Sequence, residues 1–253
     1  MENNKFLGLV HTGKNEFWRY ILSSILIFVF WIILGSVPLV YFLLTSPVEN
    51  SGTSISIPSV SSLDLDPMLL FILFIFSFFT LLVGLYIALK FVHKRPFQSL
   101  ITSSKSINWR RILTAFMVFF LLILLFNLLN VILGFSKAEF IFKAQDIPFL
   151  LLVLLLIPFQ TSAEELLFRS YTMQGLYLQT KNIFLIILLS SLNFAIFHIL
   201  NPEVSEFSLL VMLFYLITAA FLAFITLKDG SLELALGVHA ATNLSILVLN
   251  YQG

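Results

Sequence analysis

The sequence predicts an all-α integral membrane protein, a polytopic helical bundle of about seven transmembrane helices, with eight as the upper count. Three observations carry this prediction. Of 253 residues, 59% are hydrophobic and only 11% charged, whereas a soluble domain carries about 25% charged residues. Mean hydropathy is +1.02, which is more apolar surface than a soluble core of this size hides. The apolar residues also fall in runs close to the ~20 positions that a helix needs to cross a bilayer.

The first run, Tyr20–Leu44, is too long for a signal-peptide core and lacks a small-residue cleavage site, so the N-terminus as written is expected to be the mature one. Residues 45–67, "TSPVENSGTSISIPSVSSLDLDP", read as a flexible outer loop. The second run is Met68–Phe91. The segment 93–111, "HKRPFQSLITSSKSINWRR", reads as an inner basic linker that faces lipid headgroups, with His93 inside it and Trp109 at the interface. Ile112–Leu133 follows, then Ile147–Ser162, whose apolar character continues toward Tyr177. The fifth run, Ile183–Ile199, stops before Asn201-Pro202-Glu203, because proline cannot continue a helix. Phe207–Leu227 and Leu232–Leu249 complete the set.

Basic residues set the orientation. With the N-terminus inside, the inner segments hold 12 Lys and Arg and the outer ones only Lys137 and Lys143. The chain is therefore expected in a bacterial cell membrane with a cytoplasmic N-terminus. A net charge of +1 and the absence of cysteine exclude nucleic acid as a partner and exclude thiol chemistry. The bilayer is the expected environment. Oligomeric state is left open, since no internal repeat and no GxxxG pair is present. Intramembrane ionisable residues all follow Leu156, which divides the chain into an N-terminal scaffold, 1–146, and a C-terminal core, 147–253, that carries the chemistry.

A charge at the bilayer centre costs about 2.5–3.5 kcal/mol on insertion scales, so such groups face a protein interior or a wet cavity. Glu165 and Arg169 are spaced i,i+4 and can pair within one helix. Glu164 points about 100° away around that helix and needs a partner from elsewhere. A hairpin centred on Lys181 puts Glu164 17 residues before the turn and His198 17 after it, so the two lie level. His239 and Asn243 share a face of the last helix, and Phe194 shares one with His198. Singly, each reads as packing or interhelical hydrogen bonding. Together, on three helices, they read as a site. Glu233, at the start of the last span, needs only a solvated or capping role.

A carboxylate and an imidazole sharing a water can generate a nucleophile for a carbonyl, and a second imidazole with an amide can stabilise the oxyanion. No cofactor is required. Glu164, His198 and His239 also match the His₂Glu composition of zinc sites, without the compact HExxH spacing. The competing classes are a transporter or proton-relay protein using the same groups, and a pseudo-protease scaffold that binds a peptide.

"EELLFR" (164–169), "FAIFH" (194–198) and "HAATN" (239–243) follow the order of the motifs EExxxR, FxxxH and HxxxN. The stretch 158–245 thus resembles the CPBP family of intramembrane proteases, which includes type II CaaX prenyl endopeptidases and the bacterial Abi proteins. The resemblance implies an intramembrane endopeptidase acting on a membrane peptide or protein. It implies Glu164 and His198 as the water-activating pair, Glu165 and Arg169 as structural partners, and His239 and Asn243 as oxyanion donors. It does not cover the first 150 residues and leaves the substrate, prenylated or not, undetermined.

Overall fold

The computed structural model describes residues 4–45, 66–135, 143–199 and 201–249, with side chains at 202, 203, 205–208 and 249 left aside. The Ser-rich loop from residue 46 to 65 and Lys137 lie outside the described residues. Seven apolar helices form the bundle: α1 Phe17–Thr45, α2 Pro67–His93, α3 Trp109–Ile132, α4 Ala144–Gln179, α5 Ile183–Phe197, α6 Pro202–Asp229 and α7 Glu233–Leu249. Five stretches are long and apolar enough to cross a membrane, namely α1 to α4 and Leu209–Asp229 of α6. The fold class is a helical membrane bundle.

Local chemistry sets the helix ends. Asp66 caps α2 by accepting from Met68 and Leu69 N–H, ahead of Pro67. Asn108 caps α3 through Arg111 N–H, and Asn182 caps α5 through Leu185 N–H. Gly230, at φ 75°, ends α6 in the left-handed region that only glycine enters without cost. The hairpin turn between α4 and α5 occupies residues 180–182, centred on Lys181 as the spacing predicts. α4 continues past Ser162 to Gln179, as its apolar character toward Tyr177 suggests. One departure from the expected spans stands out: α5 ends at Phe197, so that His198 is its capping residue.

Helices in lipid approach through small residues, because apolar side chains gain nothing there by leaving lipid. α3 and α7 meet at Gly237, where an added Cβ would lie 2.2 Å from the Ile112 carbonyl oxygen. α1 and α2 meet at Gly35, where a Cβ would lie 2.8 Å from Ser77 Cα. α7 also packs on α4 and α6, and α2 packs on α4, so α4 and α7 are the central helices.

The segments between helices at the basic end fold inward. Phe6 and Leu7 are fully buried, and Asn4 Nδ2 donates to Leu227 O at 2.9 Å. The segment after α2 is not a lipid-facing linker as the sequence suggested. Arg95, Ser99, Leu100, Ile101 and Thr102 are buried, and Thr102 makes an isolated antiparallel bridge to Ser231. His93 is the last residue of α2, buried, with Nε2 3.0 Å from the Tyr171 hydroxyl and Nδ1 2.9 Å from Lys14 O. Arg95 donates to Gln174 Oε1, and Gln174 in turn donates to Phe6 O and Ser99 O. Burial pushes the Arg95 guanidinium below its ordinary range, because desolvation disfavours its charged form.

Glu233 is also buried rather than solvated, at 1% exposure. It accepts Asn108 N–H at 2.8 Å and Arg111 Nη1 at 3.1 Å, and Arg111 further pairs with Asp229. A carboxylate at the start of α7 therefore fixes the start of α3 and the turn after α6. Removing it from water is tolerable because its oxygens are filled by donors.

Candidate active site

The site grows out of the middle of α4. Pro158 has no N–H to donate, and the hydroxyls of Thr161 and Ser162 bond back to the carbonyls of Ile157 and Pro158 at 3.0 and 2.6 Å. Gln160 lies within this same turn, and Glu164 and Glu165 follow one turn later, all three buried. From Leu166 to Thr172 the helix widens to i→i+5 hydrogen bonding, a distortion that concentrates at functional sites. Arg169 lies inside this widened turn.

Every residue singled out from the sequence has a definite place. Arg169 Nη1 lies 3.1 Å from Glu165 Oε1, the pair that the i,i+4 spacing anticipates. Its guanidinium also covers the Phe194 ring, 4.0 Å from the centroid. Phe194 in turn holds His198, with centroids 4.2 Å apart. Tyr215 also packs on His198, with centroids 4.4 Å apart. His198 Nδ1 lies 2.8 Å from Phe194 O. Since a carbonyl only accepts, Nδ1 carries the proton, and in the neutral ring Nε2 is the lone pair.

His239 contacts both glutamates. Nδ1 lies 2.7 Å from Glu165 Oε1, and Nε2 lies 3.5 Å from Glu164 Oε2. Glu165 therefore serves Arg169 and His239 at once, a link that sequence spacing did not suggest because it crosses from α4 to α7. Against a carboxylate, Nδ1 is the donor, which leaves Nε2 aimed at Glu164. Glu164 and His198 share a cavity but no hydrogen bond joins them among the described residues.

Gln160 is the functional neighbour that sequence reasoning missed. Its Nε2 donates to Glu164 Oε1 at 2.7 Å, and its Oε1 accepts from Asn243 Nδ2 at 3.5 Å. It thus joins Glu164 to Asn243. The signal was present: Gln160 stands four residues before Glu164 in an otherwise apolar run, the spacing already used for Glu165 and Arg169. Glu164 Oε2 is buried without a hydrogen-bond partner among the described residues.

These groups line a cavity of about 690 Å³, which Gln160, Glu164, His198, His239 and Asn243 share with aromatic side chains from α1, α2, α5 and α6. The three donors named for zinc do not converge. Among the described residues no group of three or more His, Asp or Glu side chains is arranged to hold an ion.

Residues 143–245 match the type II CAAX prenyl endopeptidase Rce1-like family. The uncharacterized protein YyaK of Bacillus subtilis (strain 168) is 32% identical over 247 residues, covering 95% of this chain and 80% of that protein. The chain belongs to the Rce1-like family. No solved structure matches it. The matched region begins just before α4 and ends within α7, so Gln160, Glu164, Glu165, Arg169, Phe194, His198, His239 and Asn243 fall inside it. This family is protease-related, and the several apolar helices agree with a multi-pass membrane protein.

Proposed function

We propose that the protein is an intramembrane endopeptidase that hydrolyses a peptide bond of a membrane peptide or protein with a water activated by Glu164. The carrying observation is the state of the Glu164 carboxylate. One oxygen is held by Gln160 at 2.7 Å, and the other, buried and unbonded, faces His239 Nε2 at 3.5 Å in a cavity also lined by His198 and Asn243.

Glu164 takes a proton from water, with the His198 Nε2 lone pair as the second acceptor. The water oxygen forms a bond to the scissile carbonyl carbon, and the carbonyl becomes an oxyanion. With Nδ1–H held by Glu165, His239 donates from Nε2 only when it carries a second proton, and in that imidazolium form its Nε2–H and the Asn243 amide donate to the oxyanion. Collapse of the tetrahedral species breaks the carbon–nitrogen bond, and the proton held by Glu164 passes to the leaving nitrogen. Glu164 ends as a carboxylate, ready for the next water. No step needs a metal. In this reading the enzyme sits in a bacterial cell membrane with its N-terminus in the cytoplasm, and 147–253 forms its catalytic core.

The test is cleavage of a membrane-peptide library in liposomes. Glu164→Gln keeps the Gln160 contact but cannot hold a proton from water, so cleavage should drop at least a hundredfold with the melting temperature unchanged. Activity of the wild type should survive chelation. Cleavage by Glu164→Gln at a tenth or more of wild type would remove Glu164 as the base. Proton-coupled solute flux with no cleavage would favour a transporter instead.

A further inference from the structure

The cavity is closed toward one membrane face and built from the other. Its lining on α2 runs from Phe71 to Phe78, near that helix's start at Pro67 and far from its end at His93. On α5 it takes the last turn, Phe194 to Phe197, and on α7 it runs out to Leu247, close to the helix end. Asn201, between α5 and α6, completes it. These positions all belong to the face that carries the α5–α6 connection.

The opposite face is plugged. Phe6, Leu7, Leu85, Leu89, Leu100 and Met173 are each 1% exposed or less and form one continuous core. From Phe78 to His93 along α2 this packed layer is about 22 Å deep, at 1.5 Å per residue. Gln174 ties it together from α4, bonding Arg95, Phe6 O and Ser99 O. A polypeptide cannot reach Glu164 from that side without unfolding the N-terminal segment and the 95–102 segment.

With Arg169 set aside as part of the site, the plugged face is the one to which 11 of the 14 Lys and Arg residues are assigned by the sequence, and basic residues mark the cytoplasmic side. The open face carries lining residues that are also exposed at the bundle surface, among them Phe74 at 54% and Phe214 at 49%. Among the described residues no Lys or Arg lines the cavity, and Glu164 is the only carboxylate there. A segment carrying Asp or Glu would find no cation there.

We infer that the substrate reaches Glu164 from the extracytoplasmic side, as an uncharged, aromatic or aliphatic polypeptide segment lying in or on the outer leaflet, and not as a cytoplasmic tail. The cavity fits such a segment because its walls are mostly rings and its few polar groups cluster at one place, where the peptide bond would lie. This inference rests on the peptidase reading for what happens to the segment, but not for the side from which it comes.

The chain has no cysteine, so single cysteines report accessibility cleanly. Thr218→Cys and Thr242→Cys place a thiol in the cavity wall, and Ser103→Cys places one on the exposed part of the α2–α3 connection. Intact cells expressing each full-length variant are treated with a membrane-impermeant maleimide. Both cavity cysteines should react, and Ser103→Cys should react only after permeabilisation. A short synthetic peptide of Leu, Phe and Ala, added outside, should slow cavity labelling at least tenfold. The same peptide with a central Asp should not. Cavity labelling only after permeabilisation, or equal protection by the Asp peptide, would overturn the inference. Labelling is read without cleavage. Outside labelling combined with no hydrolysis of any peptide would sink the peptidase reading alone.

Discussion

Replacing Glu165 by Gln removes one charge from a buried cluster while leaving its shape nearly intact. Arg169 then loses the ion-pair partner 3.1 Å away, and Arg169 is 0% exposed. Breaking a buried pair from one side costs about 3–5 kcal/mol, because the remaining charge is uncompensated. The Phe194 ring under the guanidinium is present before and after, so it does not offset the difference. For a chain of this size ~1 kcal/mol shifts the midpoint by about 2–4 °C, so the expected drop is about 6–20 °C. Intrinsic tryptophan fluorescence during heating in detergent is a suitable assay. Arg169→Met alone should cost less, since Glu165 keeps His239 Nδ1 at 2.7 Å. The double variant Glu165→Gln/Arg169→Met should melt above Glu165→Gln, because no cation is then stranded. A double variant that loses the sum of the two single losses would show no coupling, and the pairing argument would fail.

Two further outcomes follow from packing and positioning. Gln160→Leu removes the contact that holds Glu164 Oε1 and should lower kcat by about 10²-fold, the scale of an ångström-level misplacement, with KM little changed; a rise in KM alone would mean Gln160 only binds substrate. Gly237→Ala sets a methyl 2.2 Å from the Ile112 carbonyl, a backbone atom that cannot swing away, and overpacking should cost about 1–3 kcal/mol. Since His239 is two residues further on, the same change should lower activity, and a variant with wild-type melting would mean that α3 and α7 do not touch there.

Much of the bundle was legible because lipid imposes a simple rule. Seven apolar runs became seven helices among the described residues, and the turn at Lys181 was readable as the short polar break between two of those runs. Features within one helix were legible too, since Glu165 and Arg169 obey the i,i+4 rule. What failed was anything that depends on a neighbour from far away in sequence. Glu233 looked solvated because its partners are Asn108 and Arg111, more than 120 residues away. The 93–111 segment looked like a basic linker because basic residues usually seek headgroups; here Gln174 on α4 draws Arg95 inward. The widened turn at Leu166–Thr172 has no signature in the composition of that stretch.

The charge arithmetic of the site links its structure to its proposed chemistry. Two carboxylates, Glu164 and Glu165, stand against one fixed cation, Arg169, and all three are buried. One negative charge is left over, and a single proton neutralises it. Glu165 meets both Arg169 Nη1 and His239 Nδ1 through the same oxygen. His239 Nε2 and Glu164 Oε2 stand 3.5 Å apart, and in the proposed mechanism the balancing proton is carried by His239. On His239 it leaves Glu164 a carboxylate able to deprotonate water and makes Nε2 a donor to an oxyanion. The proton that Glu164 then takes from water is the one that the leaving amine needs. A second arginine in place of His239 would balance the charge as well but could not change state during a reaction. On the proposed reading, that is what an imidazole on α7 supplies at this position, with Glu165 as the carboxylate that holds it.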